Sequence, residues 1–111
     1  TTDHSIVQEL IDQNKLTEEE ARTHHQKNIM TSAIGQPLDK IKIDVEGPLK
    51  IEDDEYLIAC SDGVHDALTD NQIKDIVAME NSIKTMVKNM AYKAFIAGSH
   101  DNITVCAYKH T

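Results

Sequence analysis

The chain has 111 residues, with 19 Asp and Glu against 11 Lys and Arg and a net charge of −8; with no basic run long enough to follow a phosphate backbone, no nucleic acid partner is expected. Its longest apolar runs, Tyr56 to Cys60 and Ala94 to Ala97, fall far short of the roughly 20 residues that cross a bilayer. No charged leader precedes an apolar one, so no membrane association and a cytoplasmic location are expected.

A chain of this length buries roughly 60 to 68% of the surface its unfolded form exposes, which suits one modest domain or part of one. Thr1-Thr2-Asp3-His4-Ser5 has neither an initiator methionine nor a targeting pattern, and so reads as the start of a piece cut from something longer. Asp3 or Ser5 can cap a first helix whose apolar stripe is Ile6, Val7, Leu10 and Ile11, with Gln8 placed for a capping box and a stop near Asn14. Thr17 and Glu20 repeat the capping pattern, and Glu18, Glu19 and Glu20 favour the positive end of a short helix running toward His24. Residues 28 to 34 extend that helix or form a loop, which Gly35 and Pro37 end.

The period then changes. Ile41, Ile43 and Val45 alternate with Lys40, Lys42 and Asp44, which predicts a strand with one wet face; Leu49 and Ile51 suit a short partner beyond Gly47-Pro48. Asp53-Asp54 reads as a turn into Tyr56 to Cys60, expected to be a strand covered on both faces. Thr69 or Asp70 opens a helix with Ile73, Ile76 and Val77 inside. Ile83, Met86, Val87, Met90, Ala91 and Ala94 recur at helical spacing up to Gly98, and Ile103, Val105 and Ala107 alternate in a last strand. Met86 and Met90 read as core filling. Cys60 and Cys106, far apart and inside apolar stretches, read as buried free thiols.

Three carboxylates can carry chemistry. Asp62 follows the buried strand, with Gly63 giving the backbone freedom to turn, and Asp66 comes one helical turn later. Asp101 immediately precedes the last strand. An antiparallel pairing of the last strand with 56 to 60 would bring Asp101 toward Asp62, and convergent carboxylates repel unless a cation lies between them. Hard oxygen donors without a thiolate suit magnesium or manganese. The plainer account is that Asp-Gly and Asp-Asn are common turn pairs. A zinc site from His65, His100 and a cysteine fits less well because the histidines lack a compact ligand spacing. His24-His25 reads as the polar end of a surface helix, and Arg22, among Glu18 to Glu20, as a surface ion-pair residue.

These residues resemble the second half of the catalytic domain of the metal-dependent Ser/Thr protein phosphatases, the protein phosphatase 2C or PPM-type family, in its bacterial form. The resemblance runs through Thr2-Asp3-His4-Ser5 with Glu9-Leu10, Thr17-Glu18-Glu19-Glu20-Ala21, His25-Gln26-Lys27-Asn28-Ile29, Ala33-Ile34-Gly35, Cys60-Ser61-Asp62-Gly63 and Asp101-Asn102-Ile103-Thr104-Val105. It implies an α+β fold, the C-terminal part of a four-layer α-β-β-α sandwich with antiparallel sheets. Residues 1–111 would be a partial domain, with 1–40 a flap-adjacent helical region and 41–111 the sheet and helices that carry the metal-site aspartates.

The resemblance further implies that Asp62 and Asp101 bind the second catalytic metal and that Asp66 belongs to a more weakly held third. Asn102 would hold the adjacent loop, Gly63 would be a supporting residue, and His25 would stand in the flap region. The complete domain would use two catalytic Mn2+ or Mg2+ ions, and a third, to activate the water that hydrolyses phosphoserine or phosphothreonine in a protein substrate. No complete catalytic set is present in this piece. Its parent reads as a phosphatase, the piece alone as inactive, and the missing N-terminal half, a homodimer or strand exchange as its partners. The alternative is a noncatalytic pseudophosphatase or regulatory protein-binding module.

Overall fold

The structure, a computed structural model, describes residues 1–110. It is an α+β chain that divides into two compact units, Thr1–Gly47 and Pro48–Thr111. The division falls at Gly47-Pro48, where Gly47 takes a φ of 123°.

In the first unit, helix α1 spans Ile6–Asp12 and α2 spans Glu18–Ala21. Ser5 caps α1 by accepting from the Gln8 N–H, but Gln8 turns its amide to Asp12 at 2.9 Å, so the box is only half made. Asn14, at φ 56°, ends the helix: its N–H donates to Ile11 O and that of Lys15 to Leu10 O, which satisfies two orphan carbonyls. The second box is complete. Glu20 accepts from the Thr17 N–H at 2.8 Å and from its hydroxyl at 3.0 Å, and these bonds hold its carboxyl below the usual carboxylate range. α2 stops at Ala21, short of His24. Residues 29 to 31 instead lie against 4 to 6, with a bridge between Ser5 and Met30 and a bond from Thr31 N–H to His4 O at 2.8 Å.

The strand expected over 41 to 45 is not formed. A three-residue 3-10 turn, Leu38–Lys40, leads into an extended segment that has no partner strand among the described residues. The Lys42 backbone meets the Ser32 hydroxyl instead, donating at 2.8 Å and accepting at 3.2 Å; Asp44 lies 2.9 Å from His4 and Lys42 3.8 Å from Glu9. Ile43 and Val45 stay 80% and 90% exposed, and Leu49, in the second unit, also stays out. Alternation marks two faces, but a strand also needs an edge to pair with.

The second unit contains strand β1, Tyr56–Cys60, helices α3, Asp62–His65, α4, Asp70–Met79, and α5, Ile83–Ile96, and strand β2, Val105–Lys109. The strands pair antiparallel, from Tyr56 opposite Lys109 to Cys60 opposite Val105. The expected Asp53-Asp54 turn is present, with Asp54 at φ 68° and Glu55 N–H bonded to Glu52 O. Val64, Leu68, Ile76, Met86, Met90 and Ala94 form the core, against which Tyr56, Ile58, Ile103, Val105 and Ala107 pack from one face of the ladder. Each fully buried aliphatic or Met side chain there contributes about 1.5 to 3 kcal/mol of transfer free energy. The other face carries Leu57, Ala59, Cys106 and Tyr108 and is open, so β1 is covered on one side, not two. The cysteines are free but exposed, against the expectation of burial. The atoms around Cys60 still remove enough water to push its thiol up.

Candidate functional site

Because Cys60 is opposite Val105, the chain leaves β1 and enters β2 at the same end of the ladder. One further backbone bond, Ser61 N–H to Thr104 O at 3.0 Å, extends the pairing. Beyond it the Ser61 hydroxyl takes over, donating to Asn102 O at 2.9 Å and accepting from Thr104 N–H at 3.0 Å. Gly63 then packs so closely that a Cβ there would stand 2.3 Å from Asn102 O. Segments 61 to 63 and 102 to 104 are thus joined backbone to backbone, with Asp62 inside one and Asp101 bordering the other.

Both aspartates are exposed, and among the described residues neither carboxylate has an ion-pair partner. One oxygen of Asp101 accepts from Asn102 N–H at 2.7 Å, which fixes the carboxylate relative to its own loop. Asp62 is the first residue of α3, and Asp66, its C-cap, donates its N–H to Asp62 O at 2.9 Å. The Asp66 carboxylate lies 3.4 Å from His65 Nδ1 with about half its side chain exposed.

Three solvent-facing carboxylates match the oxygen-donor chemistry of a hard divalent cation. Among the described residues, however, no three His, Cys, Asp or Glu side chains stand close enough together to hold a metal ion. The same observation leaves His65, His100 and a cysteine unassembled as a zinc site.

Two residues act otherwise than their sequence context suggests. Gly63 has no positive φ; it lies in α3, and what it supplies is room for the Asn102 carbonyl. Asn102 holds the loop through its backbone, the N–H on Asp101 and the carbonyl on Ser61, with no side-chain bond among those described. Sequence reasoning quoted Ser61 within a motif but gave it no role. The only local signal was a hydroxyl residue at the start of a short helix, which ordinarily suggests a cap. His25 lies in the first unit, exposed, its ring stacked on His24 with centroids 4.4 Å apart.

The chain is a homologue of bacterial serine/threonine protein phosphatases over part of their length. The protein phosphatase PhpP of Streptococcus pneumoniae is 41% identical over 105 residues, which cover 95% of this chain and 42% of that protein. Among solved structures, the serine/threonine phosphatase of S. agalactiae superposes with a TM-score of 0.87 at 36% identity, over 99% of this chain and 45% of its own. Serine/threonine phosphatase Stp1 of Staphylococcus aureus gives 0.89 at 33% identity, over 100% and 43%. The chain therefore spans less than half the length of these relatives. No family model matches it.

Proposed function

We propose that the chain is the C-terminal part of the catalytic domain of a metal-dependent protein serine/threonine phosphatase. The observation that carries this reading is the 41% identity to a named protein phosphatase along 95% of the chain. The fold on this reading is part of a four-layer α-β-β-α sandwich, in which 1–40 borders a flap that includes His25 and 41–111 brings the metal-site aspartates. Asp62 and Asp101 are the ligands this part offers to the second of two catalytic Mn2+ or Mg2+ ions, and Asp66 a ligand to a third. When bound, such ions supply an activated water and neutralise phosphate oxygens. The hydrogen bonds that join segments 61 to 63 and 102 to 104 support this reading, since Asp62 and Asp101 lie in or beside those segments and both are exposed, while Asp66 follows one turn on at the C-cap of α3. The rest of the domain, another copy of the chain or an exchanged strand would complete the site and its sheet. A cytoplasmic location fits the absence, among the described residues, of a helix long and apolar enough to cross a membrane.

The test is hydrolysis of a phosphothreonine peptide in excess manganese. The 111-residue chain alone is expected to be inert, because two or three carboxylates cannot assemble both the nucleophile and the phosphate clamp. Metal-dependent turnover by it at an ordinary enzymatic rate, roughly 1 per second or more, would overturn the partial-site account. In the complete phosphatase, Asp62→Ala is expected to cost far more turnover than Asp66→Ala at saturating manganese. Equal losses would contradict the division of roles.

A further inference from the structure

We propose that Ser61 is a positioning residue whose hydroxyl sets the spacing between the two loops that carry Asp62 and Asp101. What the spacing serves rests on the phosphatase reading; the clamp itself does not.

Ser61 is the N-cap residue of α3, in extended backbone at φ −74° and ψ 164°, yet it makes no side-chain capping bond. A serine in that place ordinarily spends its oxygen on the first N–H groups of its own helix. Here the hydroxyl crosses to the other loop, and both its capacities are used there, the O–H on Asn102 O and a lone pair on Thr104 N–H. The Asn102 carbonyl that Ser61 holds belongs to the residue whose N–H holds Asp101 Oδ1. Hydrogen bonds therefore run from the residue before Asp62 to the Asp101 carboxylate through one intervening residue. Gly63 allows the approach by leaving the space beside Asn102 O empty of side chain. The last backbone-to-backbone bond between the two segments is that of Ser61 N–H to Thr104 O, and the Ser61 hydroxyl bridges them just beyond it.

The comparison is among the wild-type chain, Ser61→Ala and Ser61→Thr. Threonine keeps the hydroxyl, and β-branched residues accept extended backbone. Amide hydrogen exchange at Thr104 is measured without metal, and manganese half-saturation by water proton relaxation. In Ser61→Ala, exchange at Thr104 is expected to quicken and half-saturation to rise, each by about tenfold, the equivalent of one lost hydrogen bond. Ser61→Thr should restore both. Unchanged Thr104 exchange in Ser61→Ala overturns the clamp, and unchanged half-saturation beside altered exchange overturns its positioning role. A wild-type chain that binds no manganese even when the complementary portion of the domain is added counts against the metal reading, while Thr104 exchange still decides the clamp. If Ser61→Ala does not fold, Ser61→Cys, a weaker donor, replaces it. Exchange at Thr104 equal to that of Ser61→Thr would then overturn the proposal.

Discussion

Gly63 and Gly98 are both required to be glycine, for different physical reasons. Gly98 has a φ of 93° with nothing within 4 Å of a built Cβ, so it needs the left-handed conformation and has room to spare. Gly63 has ordinary backbone and no room, because its missing Cβ is where the Asn102 carbonyl lies. Gly98→Ala is therefore expected to cost about 1 to 2 kcal/mol of conformational strain while leaving Thr104 exchange as it was. Gly63→Ala is expected to cost about 1 to 3 kcal/mol by overpacking and to expose the Thr104 amide as well. Urea unfolding combined with residue-resolved exchange checks both, and equal exchange at Thr104 in the two variants would contradict the distinction. Gly98 was readable from its place after a periodic run, because a helix end is a local event. The antiparallel pairing that sets the end of 56 to 60 beside the start of the last strand was readable too, since alternation predicted both strands. The true work of Gly63 and Ser61 was not, because each depends on a backbone atom about 40 residues away.

The elements show the same boundary between local and distant causes. Caps were legible wherever the partner lies within one turn: Ser5 and Thr17 begin helices, and Asn14 ends one. Thr69 makes the fullest case, since its hydroxyl accepts from Gln72 N–H at 3.3 Å while Gln72 Oε1 accepts from Thr69 N–H at 2.8 Å, at the start of a ten-residue helix that buries Ile76. At the other end of α5, Gly98 N–H bonds Phe95 O and Ser99 N–H bonds Ala94 O, which closes the helix that buries Met86 and Met90. Thr69→Ala is expected to destabilise the fold by about 1 kcal/mol, read as a lower urea midpoint at unchanged slope, whereas Thr69→Ser should be nearly silent. A loss of equal size for both would show that the methyl group, not the cap, matters there. Residues 41 to 45 are the contrary case. Their period was right for a strand, but His4, Glu9 and Ser32 hold the segment through its backbone and charged side chains, and no sheet edge meets it among the described residues.

At the scale of the chain, the second unit has a covered side and an open one. Its helices fill one face of the ladder, while the opposite face leaves Leu57 53% and Tyr108 54% exposed beside Ala59 and Cys106. With two strands in the sheet, each also has an outer edge that no strand pairs among the described residues. An isolated two-stranded ladder is at best marginal in water, and here the helices support only one of its faces. An apolar face with unpaired edges favours association; the chain covers 42% of a related phosphatase, and on the proposed reading the remaining length of such a domain is what would cover this face. If association is needed to close the fold, mass action makes apparent stability depend on protein concentration. The melting temperature of the chain is therefore expected to rise across a dilution series toward high concentration, together with a sedimentation coefficient above that of a monomer. Adding the complementary portion of the phosphatase domain should raise the melting temperature further and displace self-association, because one surface cannot serve both partners. A chain that sediments as a monomer, melts at one temperature throughout the series and ignores the added portion would show that α3, α4 and α5 stabilise the ladder from one side alone.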